Sequence, residues 1–343
     1  MPRTVSAWCD KIFQARRVRV GFPATGDDEG ILMGYAVVLG EALVDLLDAE
    51  CDGEPVYRQA IGGGPLNVAV GVARLGGEVQ FVGSLGDDVL AGRIRALLGE
   101  AGVGLAGAVT VPAPTALAVA TFAGPEPDFR FYGEPPSYGL LTADDLDADL
   151  VAGAGVLYCG SIVLLQPPVL AAARRAWSLA TGLRVFDPNV RPRLLDGPAA
   201  LAGLREVVAE FAAGAHLVKL STADAALLYP GEPVEGVAAY LRELGAATAV
   251  VTLGAAGAVV AAAGADPVRV PAPKVRAVDA TGAGDSVMAA LVADLLVDGE
   301  PVEPAGWPER VAFALRVAGL VCESAGGATA MPTRAEVVRR FAG

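Results

Sequence analysis

Histidine occurs once in this chain, at position 216, and lysine three times, at 11, 219 and 274. Four cysteines, Cys9, Cys51, Cys159 and Cys322, stand apart, with no CxxC pair. So few ligating side chains argue against a Cys/His zinc site. Scattered single thiols fit a reducing cytoplasm better than a disulfide scaffold. With one histidine and no GxSxG turn, a Ser-His-Asp triad has little support. No lysine follows a glycine, so there is no P-loop. His216 lies in AHLVKL rather than before Arg-Asp, so there is no protein-kinase catalytic loop. It reads instead as a strand-start residue with a satisfied ring. Positive charge is short overall: 26 Lys plus Arg against 39 Asp plus Glu leave a formal net charge of −13. Such a chain repels nucleic acid and anionic membranes, so an anionic ligand must be held by backbone amides and a few arginines. Every apolar run is cut by Gly, Pro or charge before transmembrane length. Arg16, Arg17 and Arg19 lack the apolar block and cleavage site of a secretion signal.

What is present is apolar and alternating. Over half of the 343 residues are hydrophobic, enough for one large domain with a sizeable core, or one with a small appendage. Residues 1–33 mix aromatics, basic residues and TGDDEG, and are expected to be an N-terminal extension or the product of an early start codon. From Tyr35 the pattern is regular. YAVVLG, VQFVGS, GVLYCGS, LRVFDPN, HLVKLS and TAVVTLG predict buried strands. Helices are predicted over Asn67–Leu75, Val89–Ala101, Pro168–Ala180, Leu201–Ala212, Val234–Leu244, Ala283–Leu296 and Pro308–Ser324. This alternation predicts an α/β domain over 34–343, with a mainly parallel sheet and helices on both faces. Segments 48–62 and 105–140 lack intervening helices and predict a small antiparallel β lid.

Five segments carry candidate chemistry. In AVDATGAGDSVMAAL an apolar strand-like start leads through Thr281-Gly282-Ala283-Gly284-Asp285 into a helix. Small residues and the exposed N–H groups of a helix start make an anion site. A carboxylate beside it, Asp285, can take a proton from a hydroxyl attacking a bound phosphoryl group. Equally, an Asp in a first helical turn can simply complement the helix dipole. In IGGGPLNVAVGVARLG, Gly62, Gly63 and Gly64 precede a helix near Asn67. The spacing is not GxGxxG and no strand-end acid follows, so a dinucleotide fingerprint fails. A sugar site on amides and Asn67 and a plain tight turn both remain open. Asp45, shortly after the first strand, is either a solvated loop acid or an acceptor for two sugar hydroxyls at the carboxyl edge of the sheet. FDPNVRPRLL delivers Asn189, Arg191 and Arg193 to the same edge. In VTLGAAGAV, Gly254 and Gly257 permit a turn close to an adenine or ribose.

Together these residues resemble the ribokinase/PfkB carbohydrate kinase family from about Tyr35 to Phe341. Gly62-Gly63, Pro65, Asn67, Ala69, Gly76 and Gly86 match the family's N-terminal pattern, and Thr281–Asp285 its C-terminal one. The resemblance implies a ribokinase-like fold with a β lid, and transfer of the γ-phosphoryl group of ATP, with Mg²⁺, to a primary hydroxyl. It makes Asp285 the base and the amides of Gly282, Ala283 and Gly284 an anion hole. Asp45, Gly63 and Asn67 hold the sugar. Ser221, Thr252, Gly254 and Gly257 line the nucleotide site. Asp224 organises Mg²⁺ indirectly, while Asp279 and Thr281 match part of a monovalent-cation site, with K⁺ as the ion. A homodimer through the lid is an arrangement the resemblance allows. GEALVDLL, FDPNVRPRLL and FRFYGEPPS look like the fructokinase branch, which makes Arg191 a sugar contact and fructose or a related keto sugar the expected substrate.

The chain departs from the pattern at Ala280, where a Thr is usual, and at Ser221-Thr222-Ala223-Asp224, where Asn-x-x-Glu is usual. Gly133 replaces a lid Arg, Tyr138-Gly139 replaces Ala-Asp, and Ala330 replaces a cation-binding Ser of some members. The alternatives are a 2-keto-3-deoxygluconate-type or nucleoside kinase of the same family, or a non-catalytic sugar-binding protein on a kinase fold. Aromatics at only 6% count against a stacked-base pocket, and a non-catalytic protein has no need of a base beside an anion hole.

Overall fold

The computed structural model describes residues 34–122 and 127–342, so the expected extension over 1–33 lies outside the described residues. The main sheet has nine strands. In chain order they are β1 (Ala36–Leu39), β4 (Val79–Leu85), β5 (Gly104–Thr110), β8 (Val156–Gly160), β9 (Leu183–Asp187), β10 (Leu217–Ser221), β11 (Thr248–Thr252), β12 (Ala258–Ala262) and β13 (Val268–Val270). A second sheet holds β2 (Leu43–Cys51), β3 (Glu54–Gly62), β6 (Leu117–Phe122) and β7 (Pro127–Tyr132). The main sheet runs β13-β12-β11-β10-β9-β8-β1-β4-β5, and only β12 and β13 are antiparallel to their neighbours. The smaller sheet runs β3-β2-β6-β7, and its central pair, β2 and β6, is parallel, so the lid is two antiparallel hairpins joined side by side rather than the wholly antiparallel sheet expected.

Ten α-helices lie among the described residues: α1 (Gly64–Arg74), α2 (Val89–Glu100), α3 (Ala148–Ala152), α4 (Pro167–Leu179), α5 (Gly197–Ala212), α6 (Thr222–Leu228), α7 (Val234–Glu243), α8 (Ala283–Asp298), α9 (Trp307–Cys322) and α10 (Arg334–Phe341). The period-2 geometry of a strand sends alternate side chains to opposite faces. Ala36, Val38 and Tyr158 therefore join a core with α1, α8 and α9, while Val37, Leu39 and Cys159 join another with α4, α5 and α7. Both faces are covered, which is why the parallel strands read as unbroken apolar runs. Among the described residues no helix is long and apolar enough to cross a membrane.

The lid departs from its expected bounds. It begins at Leu43, and residues 104–110 belong to the main sheet, where β5 pairs parallel with β4. The β4–α2–β5 connection is a crossover, and parallel strands need such a helix between them. β5 is the sheet's edge and mostly half-exposed, with only Gly107 buried along it, so it lacks the unbroken apolar run of the central strands. Asp45 accordingly sits on lid strand β2, opposite Ala60 and Ala118, not at the carboxyl end of a main-sheet strand.

Candidate active site

Chain reversals after β1, β8, β9, β10 and β11 all fall on the carboxyl edge of the parallel strands, where open α/β sheets bind ligands. A cavity of about 380 Å³ opens there beneath the lid. It brings together Glu41, Asp45, Gly63, Asn67, Asn189, Arg191, Thr281, Gly282, Gly284 and Asp285 with apolar Leu43, Phe131 and Ile162. Ser221 and Thr252 end β10 and β11, and Gly254 and Gly257 turn just beyond, farther along the same edge and outside the cavity lining.

The turn into α8 is set by Gly282, at φ +77°; a β-carbon there would lie 2.9 Å from the Gly327 Cα. The first helical bond is Ser286 N–H to Gly282 C=O, 2.8 Å. The N–H groups of Gly284 and Asp285 precede it and have no intrahelical acceptor. Ala283 N–H is taken by Ala280 C=O at 3.1 Å. Gly282 and Gly284 are therefore the amides of the expected trio left for an anion. Asp285 is 8% exposed. Its carboxylate is held by two amide side chains: Asn67 Nδ2 donates to Oδ2 at 2.8 Å and Asn189 Nδ2 to Oδ1 at 3.2 Å. It can still receive a proton from a hydroxyl in the cavity.

Beneath this turn lies a buried ion pair. Lys219 Nζ is 2.8 Å from Asp187 Oδ2, with the side chains 3% and 1% exposed. Lys219 also lies against Gly284, 3.5 Å from where a β-carbon would stand. Burial pulls the lysine's pKa down, but Asp187, Asp224 and Asp285 outweigh it and hold the pKa above its ordinary value. A fixed positive charge thus backs the first turn of α8. The Asp45 carboxyl makes no hydrogen bond to another described residue. Burial pushes it up to about 6, with Arg191 pulling down and Asp285 pushing up. Burial likewise raises the Glu41 carboxyl to about 7, against the Ser161 bond and Arg191.

The expected metal residues do structural work here. Asp224 Oδ1 accepts Val190 N–H, and Oδ2 accepts both the N–H and the hydroxyl of Ser221. Asp279 Oδ1 accepts the N–H and hydroxyl of Thr281, and Oδ2 accepts Gly326 N–H. No cluster of three or more His, Cys, Asp or Glu suited to a metal occurs among the described residues. His216 Nδ1 accepts Arg184 N–H just before β10, a satisfied structural ring.

Sequence reasoning missed Glu41, Lys219 and Asp187, and treated Asn189 as one polar group among several. The available signal was a single charged residue inside an apolar strand, VKL, and an acid ending one, VFD.

A family model described as pfkB family carbohydrate kinase matches residues 33–334. Fructokinase-1 of Zea mays is 34% identical over 314 residues, covering 88% of this chain and 96% of that protein. The structure of fructokinase with bound ATP from Xylella fastidiosa superposes with a TM-score of 0.79 at 28% identity, covering 91% of this chain and 100% of that one. Aminoimidazole riboside kinase from Salmonella enterica, complexed with aminoimidazole riboside and an ATP analogue, gives 0.77 at 28% identity, covering 90% and 100%.

Proposed function

Because this chain belongs to the pfkB family of carbohydrate kinases, and so is an ATP-dependent phosphotransferase with an alcohol acceptor, we propose that its acceptor is a primary hydroxyl of a neutral keto sugar, fructose first. The observation that carries the substrate class is charge. Among the described residues, three carboxyl groups, Glu41, Asp45 and Asp285, and one arginine, Arg191, line the cavity. Carboxylates accept from the many O–H groups of a neutral polyol but repel a sugar acid such as 2-keto-3-deoxygluconate. Among the described residues Phe131 is the single aromatic side chain in the lining, which gives a nucleoside base little to stack on.

In this mechanism Asp45, Asn67 and Arg191, which line the cavity, hold the sugar. MgATP, when bound, supplies the phosphoryl group. The residues that fit it are Ser221, Thr252, Gly254 and Gly257 on the nucleotide side, and the amides of Gly282 and Gly284 backed by Lys219. Asp224 braces Ser221 and Val190 and would organise Mg²⁺ indirectly when it is bound. Asp279 and Thr281 are where a monovalent cation such as K⁺ would sit. Asp285 takes the proton of the attacking hydroxyl, and the first-turn amides meet the charge on the moving group. The lid excludes water and so limits hydrolysis. The enzyme works in the cytoplasm, with Cys51, Cys159 and Cys322 as free thiols. Tyr57 and Tyr132, exposed on lid edge strands, support a homodimer through the lid.

A coupled ADP-release assay over fructose, other ketoses, 2-keto-3-deoxygluconate and nucleosides tests the substrate. Fructose or another neutral ketose should give the highest kcat/KM. A sugar acid or nucleoside on top would overturn the assignment.

Asp45→Ala should raise the KM for sugar by an order of magnitude or more while ATP KM stays put. A charge-assisted hydrogen bond is worth roughly 1.5–3 kcal/mol, less whatever water restores. Acid should do the same to the wild type. Below about 6 the Asp45 carboxyl is protonated and loses acceptor capacity, so kcat/KM for sugar should fall as pH drops through that value. An unchanged sugar KM in the variant would remove Asp45 from the pocket.

A further inference from the structure

Helix α1 starts without a cap of its own. Gly63 has no side chain to offer, and the first N–H of the helix, on Gly64, is instead accepted at 3.1 Å by Oε1 of Glu41, 23 positions earlier. The same oxygen accepts the hydroxyl of Ser161 at 2.6 Å. Glu41 is 2% exposed, and its other oxygen, Oε2, has no partner among the described residues. Position 63 cannot supply a cap of its own: Gly63 has φ +116° and a β-carbon there would lie 2.6 Å from the Glu41 carbonyl oxygen, so the buried carboxyl of Glu41 caps from a distance, at the cost of its desolvation.

The two bonds lead to one place. From Gly64, α1 carries Asn67 one turn on, and Asn67 donates to Asp285 Oδ2. From Ser161, the N–H donates to Asp187 C=O at 2.9 Å. Asp187 Oδ1 then accepts Asn189 N–H at 3.1 Å, and the Asn189 side chain donates to Asp285 Oδ1. Both amides that orient Asp285 are thus tied back to a single carboxylate oxygen. Ser161 and Asn189 have φ of +72° and +38°, left-handed values that cost a non-glycine residue about 1–3 kcal/mol and persist only where surroundings impose them. Gly64 sits in the middle of the loop, where a β-carbon would lie 2.5 Å from Asn189 Nδ2 and 3.4 Å from both Ser161 Oγ and Asp285 Oδ1.

We propose that Glu41 is a positioning residue for Asp285, a buried clasp joining the α1 start to the Ser161 turn so that Asn67 and Asn189 hold the catalytic carboxylate in register. It touches neither reacting atom in this role. The proposal rests on Asp285 being the base.

The test is a double-mutant cycle on the full chain, read as kcat at saturating fructose and ATP, with single-turnover transfer from γ-labelled ATP for the slow variants. Glu41→Ala should lower kcat by roughly ten- to a hundredfold, the scale of about 1 Å of misplacement, with ATP KM unchanged. Glu41→Gln keeps an acceptor oxygen for Gly64 and Ser161 and should restore most of that loss. In the Asp285→Asn background, Glu41→Ala should cost less than about twofold more, because nothing is left to position. Ser161→Gly, which suits the positive φ, removes one arm of the clasp without disturbing Glu41. It should give a smaller loss that also vanishes in the Asp285→Asn background, and it serves if Glu41→Ala does not fold. Additive losses in either cycle, or a Glu41→Gln variant as slow as Glu41→Ala, overturn the proposal. Near-native turnover of Asp285→Asn alone would instead sink the assignment of the base.

Discussion

Asp285→Asn leaves a folded protein that binds ATP and sugar but transfers phosphoryl roughly a hundred- to ten-thousandfold more slowly, the usual scale for losing a general base. The change is nearly isosteric. Asn keeps one oxygen, so one of the two amide contacts from Asn67 and Asn189 survives. What it lacks is the capacity to take a proton at neutral pH. Sugar affinity should change little, because Asp45 and Arg191 remain. The loss should sit in kcat, which is how an interaction made only in the transition state shows itself. Calorimetric titration with fructose and with MgATP, alongside steady-state kinetics, checks both halves. A variant with near-native kcat would show that Asp285 only complements the helix dipole.

Lys219→Met should be the most destabilising single change at this site. It leaves Asp187 buried without its counter-charge, and breaking a buried pair by removing one partner costs roughly 3–5 kcal/mol. A fall in the urea midpoint with unchanged slope would report this. The double variant Lys219→Met/Asp187→Asn removes both charges while Asn keeps an acceptor for Asn189 N–H, so much of the stability should return. Activity should not return with it, since the positive charge behind Gly284 is gone. If Lys219→Met unfolds at the wild-type urea concentration, the pair is not closed to water as described.

Much of the fold was legible because its elements are local. A run such as YAVVLG, apolar at every position, is what a strand covered on both faces requires, and the Gly-rich turn before MAALVADLL announces a helix start. β5 reads as a lid strand in sequence because an edge strand lacks the unbroken apolar run that marks the central parallel strands. Asp45 was seated on the wrong sheet because the lid begins only three residues after β1 ends, with no helix or long loop to mark the change.

The sequence by itself determined the alternation of strands and helices, the acidic balance, and the carboxylate at a small-residue turn, since each depends on neighbours along the chain. Only the tertiary structure decided what surrounds that carboxylate. Asn67 and Asp285 are 218 positions apart, Ser161 and Glu41 120. A buried acid or lysine reads in sequence like any other charge. Its burial becomes tolerable, and its role visible, only when the sheet edge brings its distant partners within hydrogen-bonding reach.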